Sequence, residues 1–158
     1  MKIAIIYASK HGSVKRCVTL LKERMLGEVV LMNIHEHPNP DISEYDYIII
    51  GGSIYHNKIQ NEIQNFCNNN LEILTTKNIG LFISSALMDV DEFKNNFSIQ
   101  LLNMCKAKEN LGYELYIHDF SVLEKIMLNF VPEEYLHNYG IKISKIEKLI
   151  NDMGINNI

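Results

Sequence analysis

"IIYASKHGSV", Ile5 to Val14, joins the end of an apolar run to a short stretch of small, polar, turn-forming residues. The run it closes, Ile3-Ala4-Ile5-Ile6-Tyr7, does not alternate with hydrophilic residues, so it predicts a strand over Lys2 to Tyr7 that is covered on both faces. Ser9, Gly12 and Ser13 at the mouth of such a strand predict a turn into a helix. If that helix starts near Ser13, the amides of Lys10 to Val14 lack intrahelical acceptors and face the positive end of the helix dipole, which suits a phosphate. Hydroxyls of Ser9 and Ser13 add hydrogen bonds, and Gly12 permits the tight path. A plain helix cap and chain turn use the same residues, so this stretch alone leaves both readings open.

Working outward, strand-length apolar runs recur at Val29 to Ile34, Tyr47 to Ile50, Ile79 to Ser84 and Tyr113 to Ile117. Helical spacing lies between them: Val14, Val18, Leu21 and Met25 share one face, as do Ile59, Ile63 and Phe66, then Phe93, Phe97, Leu101 and Met104, and finally Ile143, Ile146, Leu149 and Ile150. Alternating strand and helix, with strands as continuously apolar as "YIIIGG", predicts an α/β fold: a doubly wound parallel sheet of five strands. At 158 residues the chain reads as a single domain, 1–158. After the fifth strand, Val122, Leu123, Ile126, Met127, Phe130 and Val131 follow helical spacing up to Pro132, an extra helix inserted before the last one. The segment 121–136 is expected to close the far edge of the sheet; a partner or membrane-surface contact is the alternative, weakened by Lys125 being the helix's single basic residue.

Composition narrows the function classes. A net charge of -4 argues against a nucleic-acid binder, which needs a concentrated basic surface. The apolar clusters are too short for a transmembrane segment, and "MKIAIIYASKHG" turns polar too early for a secretory signal, so a cytoplasmic protein is expected. Cys17, Cys67 and Cys105 form no Cys-x-x-Cys pair and read as reduced, buried thiols. His35 and His37 sit two apart in the proline loop "HEHPNPDISEY", a poor ligand spacing, and no metal is expected.

Ligands of doubly wound sheets bind beyond the carboxyl ends of the strands, here loops 8–14, 51–58 and 84–89, all opening on Ser, Gly or Ala. No nucleoside triphosphate loop of the form G-x-x-x-x-G-K-[ST] occurs, nor a G-x-G-x-x-G dinucleotide fingerprint. A phospho-acceptor domain would need acidic residues where Ala8-Ser9 and Gly51-Gly52-Ser53 stand. In "IIIGGSIYHNKIQNEIQNF", Ile54 and Tyr55 fall just past a strand, and an aromatic there offers a stacking face to a flat ring. Phosphate at one loop and an aromatic at its neighbour describe a planar cofactor with a phosphorylated tail.

On these residues the chain resembles the flavodoxin family. "IIYASKHGSV" is similar to the family's first-strand signature and "YDYIIIGGSIY" to its third-strand, flavin-loop signature. The resemblance implies the family's known strand order, 2-1-3-4-5, with FMN at the switch between first and third strands. It implies that Ser9, Lys10, His11, Gly12, Ser13 and Val14 hold the phosphate, that Ser53, Ile54, Tyr55 and His56 flank the flavin ring, and that Ser84, Ser85 and Ala86 line the third side through the main chain. Val14 replaces the usual Thr and removes one phosphate hydroxyl, a loss of about 1 kcal/mol. His56 replaces the Gly of many electron carriers, and the third loop, "SSALMDVDEF", lacks the outer stacking Tyr. The resemblance implies an FMN-dependent carrier of one or two electrons, with a reductase or ferredoxin-like redox partner protein or a quinone, and no side chain as acid, base or nucleophile. The Ser-Ile-Tyr loop and the inserted helix are similar to the group containing menaquinone-dependent protoporphyrinogen oxidase, which supplies a flavoenzyme alternative. A non-redox binding module is the third reading.

Overall fold

The computed structural model describes residues 1–9, 12–86, 91–114, 121–130 and 139–155. Its parallel sheet runs in the order β2 (Glu28–Asn33), β1 (Lys2–Ala8), β3 (Tyr47–Tyr55), β5 (Asn78–Ser84), β6 (Ala107–Asn110). A short strand, β4 (Lys58–Ile59), folds back antiparallel on the end of β3. Counted along the long strands this is the expected 2-1-3-4-5 order, and the continuous apolar runs are its central strands.

The period-2 geometry of β1 divides the core in two. Ile3, Ile5 and Tyr7 meet Val14, Cys17, Val18 and Leu21 of α1 (Ser13–Arg24) and Ile146, Leu149 and Ile150 of α7 (Ile143–Asp152). Ala4, Ile6 and Ala8 meet the opposite layer: Ile63 and Phe66 of α2 (Asn61–Asn69), Leu74 of α3 (Leu71–Leu74), Phe93 of α4 (Asp91–Asn96) and Leu101 of α5 (Ile99–Met104). Ile3, Ile5, Ile6, Ile48, Ile49 and Ile50 are fully buried, each stabilising the fold by about 2 kcal/mol through apolar area removed from water. Gly51 is the concession that lets β3 and β5 lie together: a Cβ there would stand 2.3 Å from the Phe82 carbonyl oxygen.

Several boundaries differ from the sequence reading. The third strand does not stop at Ile50 but runs to Tyr55, and Ile59 belongs to β4 rather than to the helix after it. The stripe Phe93 to Met104 is broken into α4 and α5, because Ser98 leaves helical geometry and caps α5 by accepting the Leu101 N–H at 3.2 Å. The fifth sheet strand is Ala107–Asn110, "AKEN", and not Tyr113 to Ile117. Tyr113 lies in a separate two-stranded ribbon, β7 (Gly112–Tyr113) with β8 (Gly140–Ile141), and residues 115–117 fall outside the described ones. A polar run serves as an edge strand because Ala107 and Glu109 face α7, where Glu109 is buried against Lys145 at 2.9 Å and Lys148 at 2.8 Å.

The inserted helix, α6 (Val122–Met127), followed by a 3-10 turn, Leu128–Phe130, stands between β7 and β8 as expected. Its described apolar side chains do not close the edge of the sheet. Val122, Leu123, Ile126 and Phe130 point outward, with Val122 76% and Phe130 80% exposed. Val131 and Pro132 fall outside the described residues. No described helix is long and apolar enough to cross a membrane.

Cys17 and Cys67 are buried as expected, whereas Cys105 is partly exposed. Burial pushes the Cys17 and Cys67 thiols from an ordinary 9.0 up to about 12, the Glu114 carboxylate adding to the effect on Cys17. Between these values the unfolded chain has released protons that the folded chain retains, so stability falls as pH rises above about 9, by about 1.4 kcal/mol per pH unit and per thiol. Urea unfolding at pH 8, 9 and 10 is expected to show that decline, and the Cys17→Ala/Cys67→Ala double variant a flatter one.

Candidate functional site

Register brings the three loops to one place. Ala8 pairs with Gly52 across β1 and β3, and Gly52 with Ile83 across β3 and β5. One residue further, Ser53 pairs with Ser84, and Ser9 follows Ala8 on the adjoining strand. Ser9, Ser53 and Ser84 therefore stand side by side where the central strands end, about 4.8 Å apart from strand to strand.

In the first loop, Gly12 adopts φ 85 and turns the chain into α1. The Arg16 N–H, bonded to the Gly12 carbonyl at 2.9 Å, is the first rung of the helix, so the amides of Ser13, Val14 and Lys15 precede any intrahelical acceptor. Val14 sends its side chain into the core, where it is 2% exposed, and leaves only its amide for a ligand. Ser13 turns its hydroxyl inward: Oγ accepts the Glu114 N–H at 3.0 Å and lies 3.0 Å from Ser84 Oγ. Ser9 is half-buried, and Lys10 and His11 fall outside the described residues.

The second loop is a two-residue hairpin. Tyr55 pairs with Lys58, and the central residues His56 and Asn57 have φ 49 and φ 62. Positive φ at both positions is the I′ turn, whose twist matches that of the flanking strands. Asn tolerates this conformation; His56 holds it at a cost of about 1 kcal/mol. Tyr55 is 59% exposed and meets the His56 ring edge-on at 4.7 Å, so it is not packed on α2. Ile54 points back toward the core. Ser53 Oγ accepts from Gln60 Nε2 at 2.6 Å, and Gln60 Oε1, buried against Gly52, has no hydrogen-bond partner among the described residues.

In the third loop, Ser84 and Ser85 are buried and Ala86 is half-buried. Ser84 Oγ donates to the Gly112 carbonyl at 2.8 Å, and Ser85 Oγ to Glu92 Oε1 at 2.6 Å. The structure thus assembles Ser9, Gly12, Ser13, Val14, Ser53, Ile54, Tyr55, His56, Ser84, Ser85 and Ala86 around one end of the sheet. Ser13 and Ser84, however, spend their hydroxyls on the protein.

Sequence reasoning missed the residues that hold these loops. Asn96, buried at the end of α4, accepts the Ile59 N–H at 2.8 Å and donates to the Asn57 carbonyl at 3.2 Å and the Glu92 carbonyl at 2.7 Å. It fastens the Tyr55 hairpin to the helix that also anchors Ser85. Asn110 Oδ1 similarly gathers the N–H groups of Ser85, at 3.3 Å, and Gly112, at 3.0 Å. Neither Asn lies in a motif; each looks like a solvated residue until the chain is folded.

Comparison with known proteins bears on the fold. A family model described as a flavodoxin domain matches residues 4–136. Among solved structures, the chain is similar to a short-chain flavodoxin associated with a non-canonical PDU bacterial microcompartment, at 14% identity and TM-score 0.61 over 98% of this chain and 97% of that one. It is also similar to oxidised flavodoxin 2 from Bacillus cereus, at 21% identity and TM-score 0.57 over 98% of each chain. A Streptococcus pneumonia flavodoxin gives 13% identity and TM-score 0.55, again over 98% of each. At these identities the likeness is one of fold. No curated protein sequence matches the chain.

Replacing Asn96 by Ala strips the Ile59 N–H and the Asn57 carbonyl of their partner, and a loss of about 3 kcal/mol in urea unfolding is expected. Asn96→Asp, which keeps the acceptor but sets a buried carboxylate oxygen against the Asn57 and Glu92 carbonyls, is expected to lose at least as much.

Proposed function

The chain belongs to the flavodoxin family, and from that premise we propose that it binds FMN and carries one or two electrons through it. The observation that carries this reading is the juxtaposition, on neighbouring strand ends, of the open amides at the start of α1 and the outward-facing Tyr55. Anion donors beside an aromatic face suit one ligand that is dianionic at one end and flat at the other.

The residues fit such a ligand. The described part of the first loop offers amides and the Ser9 hydroxyl and no carboxylate. In the second loop, Gln60 Oε1, set against Gly52, is a buried acceptor without a donor among the described residues. Ser9 and the amides of Gly12, Ser13 and Val14, together with Lys10 and His11, would hold the phosphate. Ser53, Ile54, Tyr55 and His56 would border the ring, and Ser84, Ser85 and Ala86 its third side through the backbone. When bound, FMN supplies the electron chemistry; the chain's part is to bind it, orient it and shield it. Asn96 keeps the Tyr55 turn in place, and the Gly12 turn keeps the donor amides convergent. Its electrons would pass to or from a reductase or ferredoxin-like partner, or a quinone, in the cytoplasm.

One observation favours a second reading. The outward apolar residues Val122, Leu123, Ile126 and Phe130 offer a surface that a small carrier does not need. They suit a flavoenzyme of the menaquinone-dependent protoporphyrinogen oxidase type, whose substrate and quinone are both largely apolar.

Because the chain contains no Trp, quenching of FMN fluorescence on addition of protein reads binding directly. Saturation at one FMN per chain is expected, with affinity reduced about tenfold in Tyr55→Ala through the lost stacking. A titration without saturation overturns the reading. With the flavin-loaded protein, electron transfer that needs a ferredoxin-like partner supports the carrier, whereas turnover of a porphyrinogen with a quinone alone supports the enzyme.

A further inference from the structure

The serines that turn inward form a chain of hydrogen bonds. Ser84 has one hydroxyl proton, and it goes to the Gly112 carbonyl at 2.8 Å. In the Ser13–Ser84 contact at 3.0 Å, Ser13 must therefore be the donor. Ser13 Oγ in turn accepts the Glu114 N–H at 3.0 Å. The order is Glu114 N–H to Ser13, Ser13 to Ser84, Ser84 to Gly112. It begins and ends on the β7 strand and its continuation, and passes through the first residue of α1 and the last residue of β5.

The β7 end of this chain is the stem from which the inserted segment departs and to which it returns. Its two strands are in close contact: Gly112, at φ 81, has no room for a Cβ, which would lie 2.2 Å from the Gly140 carbonyl oxygen. The Lys142 N–H bonds the Leu111 carbonyl at 2.8 Å, and the Tyr113 and Tyr139 rings meet edge to face at 5.8 Å. Ser84 is 3% exposed and adjoins the fully buried Cys17. The Ser84 bond to Gly112 is buried and both bonds of Ser13 are partly buried, so the chain lies where a displaced partner is costly to replace.

We propose that Ser13 and Ser84 are positioning residues that couple phosphate binding at the start of α1 to ordering of the β7–β8 stem. This rests on the reading of loop 9–14 as the phosphate cradle. A phosphate gripped by the amides of Gly12, Ser13 and Val14 fixes the first turn of α1, and with it the Ser13 hydroxyl on which Glu114 and Ser84 depend. Coupling of two equilibria is reciprocal, so a stem held in place raises the affinity for the phosphate as much as the phosphate steadies the stem. Ser84 acts through Ser13 and need not touch the ligand.

The test compares FMN with riboflavin, which has the same ring and no phosphate. In the full chain at equal, near-saturating occupancy, FMN is expected to slow hydrogen exchange at the Glu114 and Lys142 amides about tenfold, and riboflavin to leave them unchanged. Ser84→Ala is expected to weaken FMN about tenfold and riboflavin less than about twofold, and to abolish the FMN-dependent protection. Ser13→Thr, which retains a hydroxyl, is expected to keep it. Should Ser84→Ala fail to fold, Glu114→Pro removes the N–H at the start of the chain from a partly exposed position, and the same split is expected. Equal protection by the two ligands, or equal weakening of both in the variants, overturns the coupling while leaving FMN binding intact. Failure of FMN to bind at all overturns the cofactor reading and the coupling together.

Discussion

The structure depends first on the register of three parallel strands. Pairing Ala8 with Gly52, Gly52 with Ile83, and Ser53 with Ser84 makes β1, β3 and β5 finish level. Parallel strands joined by helical crossovers must send every loop at one end into the same region of space, so loops far apart in sequence share a rim. Apolar cover on both faces holds that register, since a slip by one residue would exchange the α1 and α2 faces of every side chain.

Level strand ends do not by themselves shape loops. That work falls to a few buried or half-buried polar side chains, each satisfying backbone groups that the ending strands leave over. Asn96 closes the hairpin, Asn110 gathers two amides, and Ser13 with Ser84 ties α1 to β7. Leaving such groups unpaired would cost more than their bonds contribute, which makes these positions sensitive without making them chemically reactive. The result is a rim on which Tyr55 is presented to solvent while the residues beneath it are held from below.

The far edge of the sheet solves a different problem. An edge strand of apolar residues would invite pairing with another chain; "AKEN" carries Lys108 outward and turns Glu109 inward against Lys145 and Lys148. Beyond it the chain leaves the sheet for the β7–β8 ribbon, and α6 carries Val122, Leu123 and Ile126 away from the core rather than onto it.

The sequence by itself determined the four apolar strands of the sheet: uninterrupted runs such as "YIIIGG" are compatible with burial on both faces, and Ser9 and Gly12 fall where the first of them stops. Legibility ended where burial and periodicity part company. Glu109 reads as surface because its charge is balanced only by lysines 36 and 39 residues later in the chain; the stripe of α6 reads as core because spacing records amphipathicity and not what covers it. Only the tertiary structure decided that Ser13 and Ser84 bond to each other and to β7, and that Asn96 holds the turn of Tyr55. A hydrogen bond depends on distance and direction between groups that the chain brings together from 71 positions apart, and no local pattern of residues encodes that.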